Sequence, residues 1–279
     1  SAVHPDGNGG FYVGGAFRGL GPRGAADFLA HWDGSQWSQI GPEPDRPVRS
    51  LEVGPNGDLY VGGVFTSVGG KEVNRIARWD GTKWHPLGNG VDSTVTDIEV
   101  GPSGDLYIGG LFTETSGNLS TSLAHVGRWD GQGWSDVGGG TGGYVTELEF
   151  YRGDLLVGGS FQKVGRQTIP SLAIWDGQSW SAFGGGLERP GNQTTTVSAL
   201  EVSPDGVFVS GTFDDLMTAS GAQTFNHLAW WDGNRWNGLG GGVNDLVEDI
   251  EARSDRLNLA GAFTKAGGEV SYGVAVWSW

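Results

Sequence analysis

Short runs with apolar and polar positions alternating at period two recur along the whole chain, and no segment carries the 3.6-residue spacing of an amphipathic helix. Val95 to Val100, Asp105 to Phe112, His125 to Trp129 and Trp134 to Val137 are β-rich runs separated by Gly, Pro, Asn and Asp clusters. That pattern predicts four short strands, A to D, joined by turns. The same set repeats. V-G-G-x-F or a close variant ends at Phe17, Phe65, Phe112, Phe161, Phe213 and Phe263, at intervals of 48, 47, 49, 52 and 50 residues. A second landmark, W-D-G-x-x-W, pairs Trp32 with Trp37, Trp79 with Trp84, Trp129 with Trp134, Trp175 with Trp180 and Trp231 with Trp236, and the sixth copy stops at Trp277-Ser278-Trp279.

The punctuation between strands has a mechanism. His-Pro-Asp-Gly at 4 to 7, Gly-Pro-Asn-Gly at 54 to 57 and Ser-Pro-Asp-Gly at 203 to 206 place Pro where φ is preset and Gly where φ is positive, which predicts A–B hairpin turns. Asp-Gly after each strand-C Trp opens a four-residue C–D loop whose flanking indoles can pack across the ladder. The small residue two before each Trp (Ala30, Ala77, Gly127, Ala173, Ala229, Ala275) and the strand-B glycines are expected to make room for indoles of an adjacent sheet.

Units of about 49 residues with four antiparallel strands match propeller blades. The expectation is an all-β fold, a six-bladed β-propeller of four-stranded antiparallel blades with the last blade incomplete, filling residues 1–279 as a single domain. Strand D of the sixth blade has no sequence to form it, and Ser1 to Val3 reads as a stub of strand A. The W-D-G-x-x-W and V-G-G-x-F repeats resemble those of large secreted bacterial surface propellers and of the fungal extracellular cortical-polarity marker family. The resemblance spans the chain and rests on structural residues. It implies a secreted or cell-surface location and an adhesive or organising role, and it carries no active site across.

Composition narrows the function. Glycine at 53 of 279 residues would suit a disordered tail, but 13 Trp, 12 Phe and 6 Tyr supply a core. With no Cys, the chain has no disulfide, thiolate nucleophile or Cys-ligated metal. A formal charge of −15, with 17 Lys and Arg scattered singly, leaves no basic patch for phosphates or anionic lipid, so neither nucleic acid nor membrane insertion is expected.

Motifs with chemical potential read as structure. The five histidines (His4, His31, His85, His125, His227) fall in different repeats with no H-x-x-x-H pair. Gly138-x-Gly140-x-x-Gly143 matches a dinucleotide fingerprint but leads into no helix. Asp-Gly-x-x-Trp looks like the hairpin box of sialidases, itself a turn element. Asn118 and Asn192 open glycosylation sequons. No catalytic residue is assigned.

Two patterns remain. Aligning VRSLEV, VTDIEV, VTELEF, VSALEV and VEDIEA puts Glu52, Glu99, Glu149, Glu201 and Glu251 in one slot, with Ala2 in the sixth. Acids number 32 in 279 residues, so six equivalent positions should hold fewer than one, and five are Glu. Asp97, Glu147 and Asp249 lie two positions earlier on the same face. Inherited duplication explains the row; a ring of oxygen ligands for Ca²⁺ is the sharper reading. The other pattern is length variation in the B–C connections (18–28, 66–75, 113–124, 162–171, 214–227 and 264–273), which share a face with the D–A connections. Irregular loops on rigid blades make a binding face for a protein or glycan, with Phe28, Glu43, Asp45, Tyr144, Arg189, Asp214, Asp215 and Tyr272 on it. The function expected is therefore a non-enzymatic extracellular scaffold. Its alternative is a propeller hydrolase with a central Ca²⁺ and channel carboxylates, and the uncovered strand C of blade six is expected to recruit a strand, with a homo-oligomer or polymer as one outcome.

Overall fold

The computed structural model describes residues 2–21, 24, 26–191, 193–218 and 221–278; Ser1, Trp279 and Asn192 of the second sequon lie outside the described residues. The fold is all-β, a six-bladed propeller of mostly four-stranded antiparallel sheets whose last sheet has three strands. Among the described residues the one helical element is a 3₁₀ turn at Phe183–Gly185. The chain divides into two compact units, Ser1–Gly140 and Thr141–Trp279.

The first unit holds blades one to three. Strands A to D are Ala2–Pro5, Phe11–Gly14, Leu29–Trp32 and Trp37–Gln39 in blade one, and Val48–Val53, Leu59–Gly63, Ile76–Trp79 and Trp84–Pro86 in blade two. Blade three has Val95–Val100, Leu106–Gly110, Val126–Trp129 and Trp134–Asp136. The second unit holds Val145–Tyr151, Asp154–Gly159, Leu172–Trp175 and Trp180–Ala182 in blade four, then Val197–Ser203, Gly206–Gly211, Leu228–Trp231 and Trp236–Gly238 in blade five. Among the described residues blade six has A, B and C only, at Val247–Arg253, Arg256–Gly261 and Val274–Ser278.

The V-G-G motif has two separate steric causes, both visible in blade two. The ladder shifts register between Val48 and Ser50, a bulge that drives the Pro47 carbonyl toward Gly63, where a Cβ would fall 2.5 Å from its oxygen. At Gly62 a Cβ would fall 2.6 Å from Cγ1 of Val95, the residue that opens the next blade. Strand-B glycines therefore admit the following blade's valine. They do not make room for indoles, as the sequence had implied: the indoles meet glycines of the D–A segments instead, a Cβ on Gly41 falling 2.5 Å from Trp79 Cζ3.

Those pairs sit opposite each other in the ladder, for example Trp79 with Trp84, with ring centroids 5.2 Å apart. Between them the C–D turn is closed by its aspartate: Oδ1 of Asp33 accepts from the amides of Ser35 and Gln36, both at 2.8 Å. The strand-D indole then reaches back toward the preceding blade. Trp84 Nε1 donates to the Pro42 carbonyl at 2.9 Å, Trp134 to Leu87 at 2.9 Å and Trp236 to Gly184 at 3.0 Å.

Cores form between successive sheets. Leu29 and Ile40 pack with Val48, Leu51, Val61 and the landmark Phe65 in the first unit. Leu156, Leu172 and Phe183 pack with Val197, Val209 and the landmark Phe213 in the second. The landmarks Phe112, Phe161 and Phe263 are buried in the same way, whereas Phe17 is only half-buried.

Two expectations are corrected. Strand A of blade one is a full strand, Ala2–Pro5, paired residue for residue with Phe11–Gly14. Its register sets Ala2 opposite Gly14 and His4 opposite Tyr12, whereas blade two sets Ser50 opposite Gly62 and Glu52 opposite Tyr60. The residue sharing the glutamate slot in blade one is thus His4, and Ala2 belongs one slot earlier. The B–C connections are also more regular than loops: four contain small hairpins, Ser67–Val68 with Lys71–Glu72, Lys163–Val164 with Gln167–Thr168, Asp215–Thr218 with Gly221–Thr224, and Lys265–Ala266 with Glu269–Val270.

Candidate binding face and acidic row

The D–A segments and B–C hairpins are joined backbone to backbone. Bridges link Pro44 to Val68 and Val91 to Thr115 in the first unit, and Thr141 to Val164 and Val243 to Ala266 in the second. One side chain three residues before strand A reinforces each of three such joints. Asp45 Oδ1 accepts from the amides of Thr66 (2.8 Å) and Ser67 (3.0 Å) while Oδ2 takes the Thr66 hydroxyl (2.8 Å). Asp92 repeats this with Thr113 and Glu114, and Asn244 with Thr264 and Lys265. Burial opposes the charge of Asp45, but the bonds from Ser67 and Thr66 outweigh it and hold the carboxyl below its ordinary value.

The sequence carries a signal for this clamp. An Asp or Asn three residues before the valine of strand A is matched by a Thr directly after the landmark Phe, as Thr66, Thr113 and Thr264. Asp45 is thus a clamp whose acceptors are occupied within the fold.

The head of strand C completes the joint. Asn226 and His227 hold positive φ of 50° and 66°, as do Asn74 and Arg75 at 49° and 74°. This turns the Asn226 carbonyl to accept from Val243 N at 3.0 Å, and the Asn74 carbonyl to accept from Val91 N at 3.0 Å. Recurrence in both units marks the strained pair as part of the blade architecture.

The other residues named from the sequence divide by environment. Phe28 is buried, with a positive φ of 63° and the Arg18 guanidinium 5.0 Å over its ring. Glu43 Oε1 accepts from Asp27 N at 2.8 Å. In the second unit, Asp215 Oδ1 takes the Thr224 hydroxyl at 2.6 Å. Arg189 and Asp214 do come together at 3.9 Å, and His227 Nε2, which sequence reasoning left out, joins at 3.3 Å. Tyr144 and Tyr272 project into solvent, Tyr272 being 88% exposed. Met217 and Val270, on hairpins of the same unit, are exposed as well. Nothing in the sequence distinguishes those two from core residues.

The acidic row behaves as a set of local pairs. In the first unit His4 Nε2 lies 3.1 Å from Glu52 Oε2, and the imidazole pKa is raised chiefly by that bond. The Ser50 hydroxyl donates to Asp97 at 3.0 Å. In the second unit the Ala252 amide donates to Glu201 Oε1 at 3.0 Å, while Glu251 is held by Arg253 at 2.6 Å and Asn258 at 2.9 Å. Burial pushes the Glu201 carboxyl above its ordinary value, with Asp249 and Glu251 adding to it, and Arg253 pulls Glu251 below. Among the described residues no group of three or more His, Asp or Glu side chains comes together to hold a metal ion. Within the row, Glu52 is engaged by His4, and Glu251 by Arg253 and Asn258.

No protein-family model and no curated protein matches the chain. Solved structures do. The extracellular domain of a hybrid two-component system from B. thetaiotaomicron aligns over 99% of the chain with a TM-score of 0.60 and 12% identity. YCF48 bound to a D1 peptide aligns over 99% with a TM-score of 0.53 and 15% identity. The likeness is one of fold. The chain spans 32% of the length of the first and 77% of the second. No helix among the described residues is long and apolar enough to cross a membrane.

Proposed function

We propose that the chain is a non-enzymatic scaffold, secreted or displayed at a cell surface, whose B–C and D–A face binds a protein or glycan partner, with the six repeats acting as one domain. The observation that carries this reading is the backbone joint described above. Hairpins that would otherwise fray are bridged to D–A segments and clamped by Asp45, Asp92 and Asn244, so side chains on them are presented at low entropic cost. Tyr144 lies beside the Thr141–Val164 bridge, Met217 donates its amide to the Glu188 carbonyl at 2.7 Å and Tyr272 follows the hairpin held by Asn244, and all three side chains face solvent as anchors, tyrosine being a class enriched among residues that dominate interface energetics. YCF48, whose fold is similar, was solved with a peptide bound, and the other similar domain is extracellular. The resemblance of the repeats to secreted surface propellers points the same way.

The test is a screen of the labelled chain against arrayed glycans and extended peptides, run beside the variant Tyr144→Ser/Met217→Ser/Tyr272→Ser. A ligand of the wild type should lose at least about tenfold in affinity in the variant, with the melting temperature unchanged. Equal binding by both, or hydrolytic turnover of an arrayed ligand, would overturn the reading.

A further inference from the structure

Three of the B–C hairpins share one register but differ in length. Val68 pairs with Lys71 in blade two, Val164 with Gln167 in blade four and Leu216 with Gln223 in blade five, so Lys71, Gln167 and Gln223 are counterparts. In blades two and four this pair is the last before the turn, and its side chain closes against strand D. Lys71 Nζ donates to the Trp84 carbonyl at 3.5 Å, and Gln167 Nε2 to the Trp180 carbonyl at 3.0 Å. In blade five the ladder runs on through Met217 with Ala222 and Thr218 with Gly221. Among the described residues no bond joins Gln223 to Trp236, and a cleft of about 400 Å³ lies open between hairpin and strand D.

The wall of that cleft sets indoles beside uncharged hydrogen-bonding groups. Trp231, which is half-buried, and Trp236 supply apolar surface, while Gln223, Asn234 and Asn237 supply carboxamides. Asn237 Nδ2 is committed to Asp232 Oδ2 at 2.9 Å and to the Arg235 carbonyl at 3.1 Å, which leaves its Oδ1 as an acceptor. Gln223 and Asn234 are exposed, and each side chain offers both donors and an acceptor. Among the described residues the one charged side chain on the wall is Arg235, and it already faces Asp232 at 3.6 Å.

We infer that this cleft is a binding site for a neutral saccharide of one or two pyranose rings. A pyranose has an apolar C–H face and a rim of hydroxyls, each both donor and acceptor, so it matches an indole bordered by carboxamides. The volume falls within the range of small-ligand pockets, about 300–1,000 Å³. An acidic sugar is disfavoured, because Arg235 is paired and the chain carries a net charge of −15. The site uses none of Tyr144, Met217 and Tyr272, so it stands or falls apart from the loop-face reading.

The test screens the labelled full chain on an array of neutral hexose oligosaccharides beside oligouronates, and titrates the strongest neutral ligand by calorimetry. Saturable binding is expected, about tenfold or more weaker in Gln223→Ala/Asn234→Ala, with the melting temperature unchanged. Replacing residues 217–222 by the Gly-Arg that turns the blade-four hairpin should let Gln223 reach the Trp236 carbonyl and abolish binding. The variant Tyr144→Ser/Met217→Ser/Tyr272→Ser should keep it, so each ligand is assigned by the variant that loses it. No neutral ligand on the array, undiminished affinity in Gln223→Ala/Asn234→Ala, or tighter binding of oligouronates overturns the proposal. So does loss of saccharide binding in the triple serine variant, since it would assign the sugar to the loop face.

Discussion

Blades five and six carry nearly the same strand-C and strand-A patterns, yet equivalent residues live in different surroundings. Leu228 and Ala199 of blade five are buried beneath Val247, Ile250 and Leu259 of blade six. Their counterparts in blade six, Val274 and Asp249, lie in solvent, Val274 being 67% exposed and Val276 61%. Glu201 is largely buried and bonded to the Ala252 amide, whereas Glu251, in the same slot, is half-exposed and paired with Arg253. A repeat therefore specifies a blade but not its environment. The environment comes from the sheet stacked on it and from the strand that closes its edge.

The contrast is sharpest at the indoles. Trp236→Ala removes a buried ring and its bond to Gly184 and should cost about 3–5 kcal/mol in denaturant unfolding, whereas Trp277→Ala, at a half-buried position, should cost less than half as much. Equal losses would mean that strand D adds nothing to the seat. Next in size, Leu228→Ala should cost about 2–4 kcal/mol, and Val274→Ala should stay within about 0.5 kcal/mol of wild type. A large loss at Val274 would indicate a covering partner in solution.

Acid offers a third lever. The turn aspartates of the complete blades are held below the ordinary 3.8 by amides and hydroxyls, Asp33 down to about 2, led by its bond from Gln36. Asp232 is lowered in the same way, with the Arg235 amide as the main cause. A depressed carboxyl contributes stability above its unfolded value and loses it as pH falls through the folded one, so the turns should weaken between pH 3.8 and about 2. Asp232→Ala should lower the melting temperature at pH 7 and flatten that acid slope, while blade six carries Ser278 where the other blades carry the turn aspartate.

The smallest effect should be the glutamate pair. Burial raises the Glu201 pKa, so its charged form carries a cost that is full at neutral pH and relieved as pH falls through the raised value. Glu201→Gln keeps an acceptor for the Ala252 amide and should raise the melting temperature at pH 7, with the gain fading on acidification. Glu251→Gln gives up the charge that attracts Arg253 and should lower it slightly, an effect lost toward acid because that pKa is depressed. Shifts of the same sign would show that the two glutamates share one environment after all.

Much of the fold was legible in the order of residues alone. Trp pairs at constant spacing, Pro and Gly in fixed turn positions and the recurring V-G-G-x-F are local signals, set by φ preferences and cross-strand packing within about 49 residues, and they defined six blades with the last one short of a strand. The candidate face was legible only as a location. The sequence named Asp45 for binding when its oxygens close a backbone joint, and passed over His227, Met217 and Val270, whose place on the face depends on hairpins inside the B–C connections.

What only the tertiary structure decided is register and neighbourhood. A two-residue offset leaves the repeat landmarks unchanged and keeps a side chain on the same face, but it changes its partner. That is why His4, and not Ala2, shares the slot of Glu52 and meets it at 3.1 Å. The sequence by itself determined the blades, because each blade's turns and strand pairs are closed within one repeat. Burial, pairing and charge at a given slot were decided by contacts about fifty residues away, where Val95 fills the space that Gly62 leaves and Trp236 reaches back to Gly184.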